Sequence, residues 1–419
     1  MIKREIYLPT LRNLRDINVI KVVTGIRRVG KSTLFKQFQE ELIASGVKPR
    51  NIVYLNLEEM RNEALLERFI LHDYILKYTS PRQKNYVFLD EIQNVPDFEK
   101  LVDSLFVKEY IDLYITGSNA YFLSSELATL LTGRYIEIKI LPFSFAEFAQ
   151  NYADTKSAQE IFEDFMIYGG FPEAANMLHT PAKREINSYL SSVYSTILEK
   201  DIMRRNKIRS KFDFENLYRF MLDSVGSLAS PNNIAEMLTR NGNKINNDTV
   251  ENYLTCLSDA FLLYPVQRYD IRGKRLLQTQ NKFYSVDIGL LLAVLGRDTK
   301  VNRGHLLENV IYLELMRRYK QVYVGKNSET EVDFVAKDEN GLLAYYQVSL
   351  TVRDEKTLNR ELAPFQNIKD NYPKYLLTLD PEEPSYNGVL QTNIIRWLGM
   401  KNKQLITGSD KRLKTKEER

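Results

Sequence analysis

The residues best suited to chemistry lie near the start of the chain, where GIRRVGKS at positions 25–32 fits the phosphate-binding pattern G-x-x-x-x-G-K-[ST]. Its two glycines allow the backbone to wrap around phosphate oxygens and to present amide N–H groups to them. Lys31 would place positive charge on the β- and γ-phosphates, and the Ser32 hydroxyl would bind Mg²⁺. The residues expected to contact the nucleotide are Gly25, Ile26, Arg27, Arg28, Val29, Gly30, Lys31, Ser32 and Thr33.

The elements on either side of this loop fit a phosphate site. Residues 19–24 are rich in β-branched side chains, which predicts a buried strand. From Lys31 to about Ser45, apolar residues recur with helical spacing, and Gly46 then ends the predicted helix. A chance glycine turn is the alternative, but the order strand, glycine loop, helix favours a nucleotide site.

Two carboxylates follow another apolar strand at residues 86–89. Asp90 would hold Mg²⁺ through water, and Glu91 would orient and deprotonate the attacking water. The pair predicts hydrolysis rather than phosphate transfer to a metabolite, although surface loops also contain such pairs. A further strand at 113–116 precedes Asn119, which is the best candidate to bridge the attacking water and the γ-phosphate.

Arg134 lies just before a predicted strand at 135–141. It is a candidate arginine finger that would stabilise the transferring phosphoryl group in a neighbouring subunit's site. That role requires a homo-oligomer, either a dimer or a ring. A solvated surface arginine is the alternative interpretation.

Taken together, the segments GIRRVGKS, YVFLDE, YITGSN and LTGRY resemble AAA-type P-loop ATPases of the additional-strand, catalytic-glutamate division. With YGGFPE at 168–173, the chain is similar to the archaeal-ATPase clade near the STAND switch ATPases. The resemblance implies an α/β fold with a parallel-sheet core, and ATP and Mg²⁺ as ligands. It also implies a glycine-x-proline element over the nucleotide, in which Pro172 could contact adenine; a plain helix-ending turn explains that segment nearly as well.

We expect five parts: an ATPase core at 1–150, a helical lid and basic connector at 151–211, a winged-helix domain at 212–300, an α/β domain at 301–399 and a basic flexible tail at 400–419. The winged helix is predicted from three helical patterns followed by strands around Arg272-Gly273-Lys274. DNA phosphates are its candidate ligand, and protein contact or a lever role is an equal alternative. The candidate DNA-binding residues are Arg268, Arg272, Lys274, Arg275 and Lys282.

The element order of residues 301–399 resembles the PD-(D/E)xK restriction-endonuclease fold, and the C-terminal half resembles an accessory domain of unknown function. In active enzymes of that fold, two acidic residues and an E-x-K tripeptide bind Mg²⁺ and activate water. Glu308 and Asp333 match the acidic positions, but Gln347-Val348-Ser349 replaces the tripeptide. We therefore expect a nuclease-like remnant that does not cleave DNA.

Composition limits the remaining possibilities. With 44% hydrophobic and 27% charged residues, wholesale disorder is excluded, and the single cysteine excludes an internal disulfide. There is no apolar run of membrane length and no signal-peptide pattern, so we expect a soluble, cytoplasmic protein without a membrane partner. The predicted function is an ATPase that couples its nucleotide state to DNA binding. The alternatives are an ATP-gated protein-interaction switch and an ATP-dependent nuclease.

Overall fold

A five-stranded parallel sheet forms the N-terminal part of the chain, with the strand order β2-β3-β4-β1-β5. Its strands are β1 (Ile20–Thr24), β2 (Ile52–Asn56), β3 (Asn85–Asp90), β4 (Ile111–Gly117) and β5 (Tyr135–Lys139). The strands β1, β3 and β4 are buried along their whole length, as expected for a parallel sheet covered on both faces. Because all five strands run the same way, their carboxyl ends share one edge, where ligands bind in such sheets.

Helices cover both faces of this sheet: α1 (Leu8–Leu14), α2 (Lys31–Ala44), α3 (Arg68–Tyr78) and α4 (Phe98–Phe106). Phe35 and Phe38 of α2 pack against the rings of Phe88 and Tyr114 from the two central strands. Short 3₁₀ turns occupy Pro49–Asn51, Met60–Leu65 and Ile92–Asn94. The aromatic packing fixes the start of α2, and with it the loop that precedes this helix.

A helical region follows the sheet. It contains α5 (Phe145–Ala149), α6 (Ala158–Tyr168), α7 (Pro172–Met177) and α8 (Ile186–Ile197), with 3₁₀ turns at Gln150–Tyr152 and Pro181–Glu185. Ser144 and Ser157 begin α5 and α6 with complete capping boxes. The chain then continues from α8 as a π-helix, Leu198–Met203, so the predicted basic connector begins as a helix.

Three helices and a hairpin come next: α9 (Lys211–Asp223), α10 (Pro231–Arg240) and α11 (Asn247–Asp259), then β7 (Leu263–Asp270) and β8 (Arg275–Ser285). A short strand β6 (Leu228–Ala229) pairs with β8. This element order is the one expected for a winged helix, which stays a prediction. After β8 come α12 (Ile288–Leu295) and α13 (Arg303–Arg318).

The hairpin belongs to a nine-stranded sheet with the order β13-β14-β12-β11-β10-β9-β7-β8-β6. Its C-terminal strands are β9 (Gln321–Asn327), β10 (Thr330–Lys337), β11 (Leu343–Val348), β12 (Lys374–Thr378), β13 (Ser385–Tyr386) and β14 (Val389–Asn393). Pairing of β7 with β9 joins residues on both sides of the expected boundary at residue 300. The edge of β7 is therefore covered by the chain itself.

The last helices are α14 (Glu355–Leu362) and α15 (Ile394–Gly399), with a 3₁₀ turn at Ala363–Phe365. One cluster of buried apolar side chains extends from Tyr7 to Leu398, and a second fills the other face of the parallel sheet. This computed structural model describes residues 2–120, 131, 133–152, 155–240, 245–296, 301–328 and 330–400. The expected tail at 400–419 lies almost wholly outside the described residues. Within the described ranges, no helix is both long and apolar enough to cross a membrane.

Candidate nucleotide-binding site

The glycine loop connects β1 to α2 at the carboxyl edge of the parallel sheet. Gly25 has φ = 148° and Gly30 has φ = 99°, and both values favour glycine. A Cβ atom on Gly25 would also collide with the carbonyl oxygen of Ile140. Gly30 directly precedes α2, and no described side chain caps this helix, so its first N–H groups remain available to a phosphate.

Lys31 is buried at the start of α2. Its Nζ donates hydrogen bonds to the carbonyl oxygens of Gly25 at 3.0 Å and Ile26 at 3.4 Å. The same atom lies 3.3 Å from a carboxylate oxygen of Glu91. The predicted phosphate-binding lysine and the predicted catalytic base therefore lie next to each other.

Glu91 keeps a lowered pKa although it is buried. Burial opposes its ionisation, but the charges of Lys31 and Arg27 and a hydrogen bond from Gln93 outweigh that effect and bring the pKa below its ordinary value. Its backbone is left-handed, with φ = 56°, and its N–H donates to the Thr116 hydroxyl at 2.8 Å. The carboxylate is therefore ionised at neutral pH, as a base requires.

Asp90 ends β3 and is held by both neighbouring strands. One carboxylate oxygen accepts a hydrogen bond from Thr116 at 2.6 Å, and the other accepts one from the Tyr54 hydroxyl at 3.0 Å. The Tyr54 hydroxyl also interacts with Ser32. The Tyr54 hydroxyl therefore links Ser32 and Asp90, and both of these residues offer oxygen atoms, which Mg²⁺ prefers as ligands. These residues fit a magnesium site.

Asn119 follows the end of β4, which is the neighbour of β1. Its side-chain amide donates to the backbone carbonyl of Asp201 at 3.1 Å, and the Ser118 hydroxyl donates to the Asp201 carboxylate at 3.3 Å. The structure therefore places Asn119 at the predicted edge of the sheet. It also brings the π-helix to the same edge.

Arg134 lies at the other end of the sheet. It precedes β5, whose first residue Tyr135 pairs with Ile20 at the start of β1. About 16 Å of strand therefore separates it from the glycine loop of its own chain. Its side chain is half exposed and pairs with Asp103 of α4. This position excludes action on its own loop, and the role of Arg134 as a finger in a second subunit stays a prediction.

Pro172 begins α7 above the glycine loop. A Cβ atom on Gly30 would lie 3.9 Å from the Pro172 ring. The preceding Gly170 accepts a hydrogen bond from the Phe143 N–H at 2.7 Å and donates its own N–H to Asp287 at 2.6 Å. The glycine-x-proline segment is thus fixed beside the loop, and its contact with adenine stays a prediction.

Several residues of this site were not found from the sequence. Arg4, which is 2% exposed, donates to the carbonyl oxygen of Val29 at 3.0 Å and pairs with Glu147 at 2.9 Å. Arg27 and Arg28 belong to the predicted loop, but Asp201, the partner of Arg27, was not predicted; Arg28 is exposed. These partners lie far apart along the chain, so no local pattern could reveal them. Tyr54 and Thr116 only look like ordinary strand residues.

Comparisons with known proteins agree with this geometry. Residues 18–149 match a family described as an AAA domain. An uncharacterised protein of Haemophilus influenzae is 37% identical over 403 residues, which are 95% of this chain and 98% of the relative. The chain belongs to the same family as this relative. Its core is an AAA-type P-loop ATPase domain.

Other similarities fit the same assignment. An uncharacterised protein of Methanocaldococcus jannaschii is 30% identical over 371 residues, which are 84% of this chain and 79% of the relative. A Walker-type ATPase of Pyrococcus abyssi shares the fold, with a TM-score of 0.52 and 16% identity over 70% of this chain and 96% of the other. Residues 159–301 match a domain of unknown function.

Outside the AAA core, the predicted DNA-binding residues divide into two groups. Arg272, Lys274 and Arg275 are exposed at the turn between β7 and β8, and Arg268 is half-buried. Lys282 is buried instead, and its ammonium lies 3.0 Å from Glu308 and 2.7 Å from Glu331. The structure corrects the expectation for Lys282, because a buried and doubly paired ammonium cannot reach a DNA phosphate.

The nuclease-like residues do lie together: Glu308 is on α13, which packs against the large sheet that contains Asp333 and Gln347. Gln347 accepts a hydrogen bond from the Asp333 N–H at 3.3 Å and donates to Glu361 at 2.9 Å. Burial, followed by the charge of Glu308, raises the pKa of Asp333 well above its ordinary value. The described residues contain no group of three or more acidic, histidine or cysteine ligands placed for a metal ion. They do not fit a nuclease metal centre, and Lys282 supplies the positive charge instead.

Proposed function

We propose that this AAA-type protein binds ATP with Mg²⁺ and hydrolyses the bond between its β- and γ-phosphates. The observation that carries the proposal is the contact between Lys31 and Glu91 at 3.3 Å, beside Asp90 and directly below the glycine loop. A phosphate bound in the loop would replace the carbonyl partners of Lys31. When bound, Mg²⁺ would be held by Ser32 and, through water, by Asp90, and would neutralise charge on the β- and γ-phosphates.

In this proposal each residue of the site has a separate role. Glu91 accepts the proton of the attacking water, and Asn119 orients that water toward the γ-phosphate. The loop N–H groups and Lys31 bind the phosphate oxygens that gain charge. Pro172 covers the nucleotide, and Arg134 serves the site of a second copy of the chain.

Phosphate release from ATP tests the proposal. Lys31→Ala should abolish nucleotide binding, whereas Glu91→Gln should retain binding and lose turnover by about 10²-fold or more. The matched controls are Lys36→Ala and Glu40→Gln, which alter exposed residues of the same helix α2. Wild-type protein that binds no ATP would refute the proposal.

We also propose that the nucleotide state is coupled to DNA through the hairpin turn of β7 and β8. Its exposed cations Arg272, Lys274 and Arg275 suit phosphate contacts. The exposed face of α11 carries Asp248 and Glu251 and no arginine or lysine, which disfavours insertion into a DNA groove. Sequence-independent contact is therefore favoured over base reading.

Mobility shifts with and without a non-hydrolysable ATP analogue test this coupling. Replacing the three cations with glutamine should weaken binding and reduce its salt dependence. No shift at low salt would refute DNA coupling and favour an ATP-gated protein-interaction switch.

We further propose that the nuclease-like cluster, which consists of Glu308, Asp333 and Gln347, does not cut DNA. Plasmid cleavage with Mg²⁺ or Mn²⁺ that Asp333→Ala abolishes would refute this.

A further inference from the structure

Arg27 connects the glycine loop to the helical part of the chain. Its Nε and Nη2 atoms donate to the two carboxylate oxygens of Asp201 at 3.0 and 3.1 Å. Its Nη1 atom donates to Glu58 at 2.9 Å. Two parallel hydrogen bonds from a guanidinium fix both the distance and the orientation of the pair.

Asp201 also holds the end of β4. Its side chain is 1% exposed and accepts a hydrogen bond from Ser118, while its carbonyl oxygen accepts one from Asn119. Lys200, the preceding residue, pairs with Glu58 at 2.9 Å. Two successive residues of the π-helix Leu198–Met203 therefore contact three separate parts of the AAA core. π-Helical turns occur often at functional positions.

The pair lies within the electrostatic field of the proposed reaction. Arg27 is part of the glycine loop that would hold the phosphates. Its partner Asp201 accepts hydrogen bonds from Ser118 and from Asn119, and Asn119 is the residue expected to contact the γ-phosphate. A triphosphate brings several negative charges to this place. They attract Arg27 and repel the buried Asp201 carboxylate, so the phosphate competes with Asp201 for one guanidinium.

This inference rests on the proposed ATP binding. We propose that Asp201 is a positioning residue, which holds Arg27 in the nucleotide-free protein and releases it to a bound nucleoside triphosphate. The π-helix thereby detects the γ-phosphate and passes its presence to α9, which follows it in the chain. Because coupling between two equilibria is reciprocal, weakening the Asp201–Arg27 pair must favour triphosphate binding.

Calorimetric titration of Asp201→Asn with a non-hydrolysable ATP analogue and with ADP, both with Mg²⁺, tests the proposal. The variant should bind the analogue about fivefold or more tightly than the wild type does, with little change for ADP. Glu199→Gln is the matched control, because Glu199 lies in the same π-helix but is exposed and pairs with Lys211. Weaker or equal binding of the analogue by Asp201→Asn would overturn the proposal.

A second measurement needs no variant. In the wild-type protein, amide hydrogen exchange of residues 198–203 should be faster with the ATP analogue than with ADP, and equal or slower exchange would overturn the role of Asp201. Wild-type protein that binds neither nucleotide would instead refute the proposed function itself. The two failures are therefore distinguishable.

Discussion

The burial of Lys282 leads to a prediction that separates its structural role from DNA contact. Lys282→Met removes the ammonium that lies between Glu308 and Glu331 and keeps a side chain of similar length. Removing one partner from a buried ion pair costs about 3–5 kcal/mol, because the other charge is left buried without compensation. Lys274→Met, at the exposed turn, is the matched control and should change stability by less than about 0.5 kcal/mol.

The loss should depend on pH, and its sign follows from the carboxyl groups. The pKa of Asp333 is already raised by burial and by Glu308, and the charge of Lys282 opposes that rise. Without Lys282, Asp333 binds its proton still more strongly in the folded state than in the unfolded state. The stability that the protonated Asp333 carboxyl contributes is present at low pH and is lost as pH rises through its folded pKa. The deficit of Lys282→Met should therefore be smaller at pH 5 than at pH 8.

Fluorescence provides a local assay. Trp397 is the only tryptophan of the chain and is fully buried in α15, directly after β14 of the same large sheet. Urea unfolding followed at Trp397 thus reports on the region that contains the cluster. If Lys282→Met had wild-type stability at pH 8 and had lost DNA binding, the assignment of Lys282 to a buried cluster would be refuted.

Three further predictions concern the AAA core and its surroundings. Gly25→Ala should lose nucleotide binding, measured by calorimetry, because the added Cβ meets the Ile140 carbonyl oxygen. Asp287→Asn should remove a pH dependence of stability. Burial raises the pKa of Asp287 to about 6, so the protonated carboxyl contributes about 3 kcal/mol to the free energy of unfolding, and this contribution is lost as pH rises from 4 to 7. Arg134→Ala should lower turnover by about 10³-fold with unchanged ATP affinity, since a finger acts only on the transition state; adding subunits that carry Lys31→Ala but retain Arg134 should restore activity.

Each of these predictions has a contradicting result. Nucleotide affinity retained by Gly25→Ala would mean that the loop can rearrange around a side chain. Parallel pH profiles of urea unfolding for the wild type and Asp287→Asn would exclude Asp287 as their cause. Full turnover of Arg134→Ala would leave Arg134 as a surface residue paired with Asp103.

The local patterns predicted the AAA core well because its chemistry is encoded by neighbouring residues. The loop at 25–32 and the carboxylates Asp90 and Glu91 lie at the ends of strands that the apolar runs predict. Their meeting at one sheet edge follows from the parallel order alone. The pairing of β7 with β9 could not be predicted from the sequence, because it joins residues more than fifty positions apart.

The sequence by itself determined the nucleotide loop, the strand ends and the family, since each depends on residue types at short and constant spacing. Only the tertiary structure decided which charged side chains form ion pairs within the chain. It placed Lys282 between Glu308 of α13 and Glu331 of β10, and it brought Asp201 to Arg27 across 174 positions of chain. The physical reason is that the sequence shows a charge but not its burial, and burial decides whether a charged side chain binds solvent, a ligand or another residue of the chain.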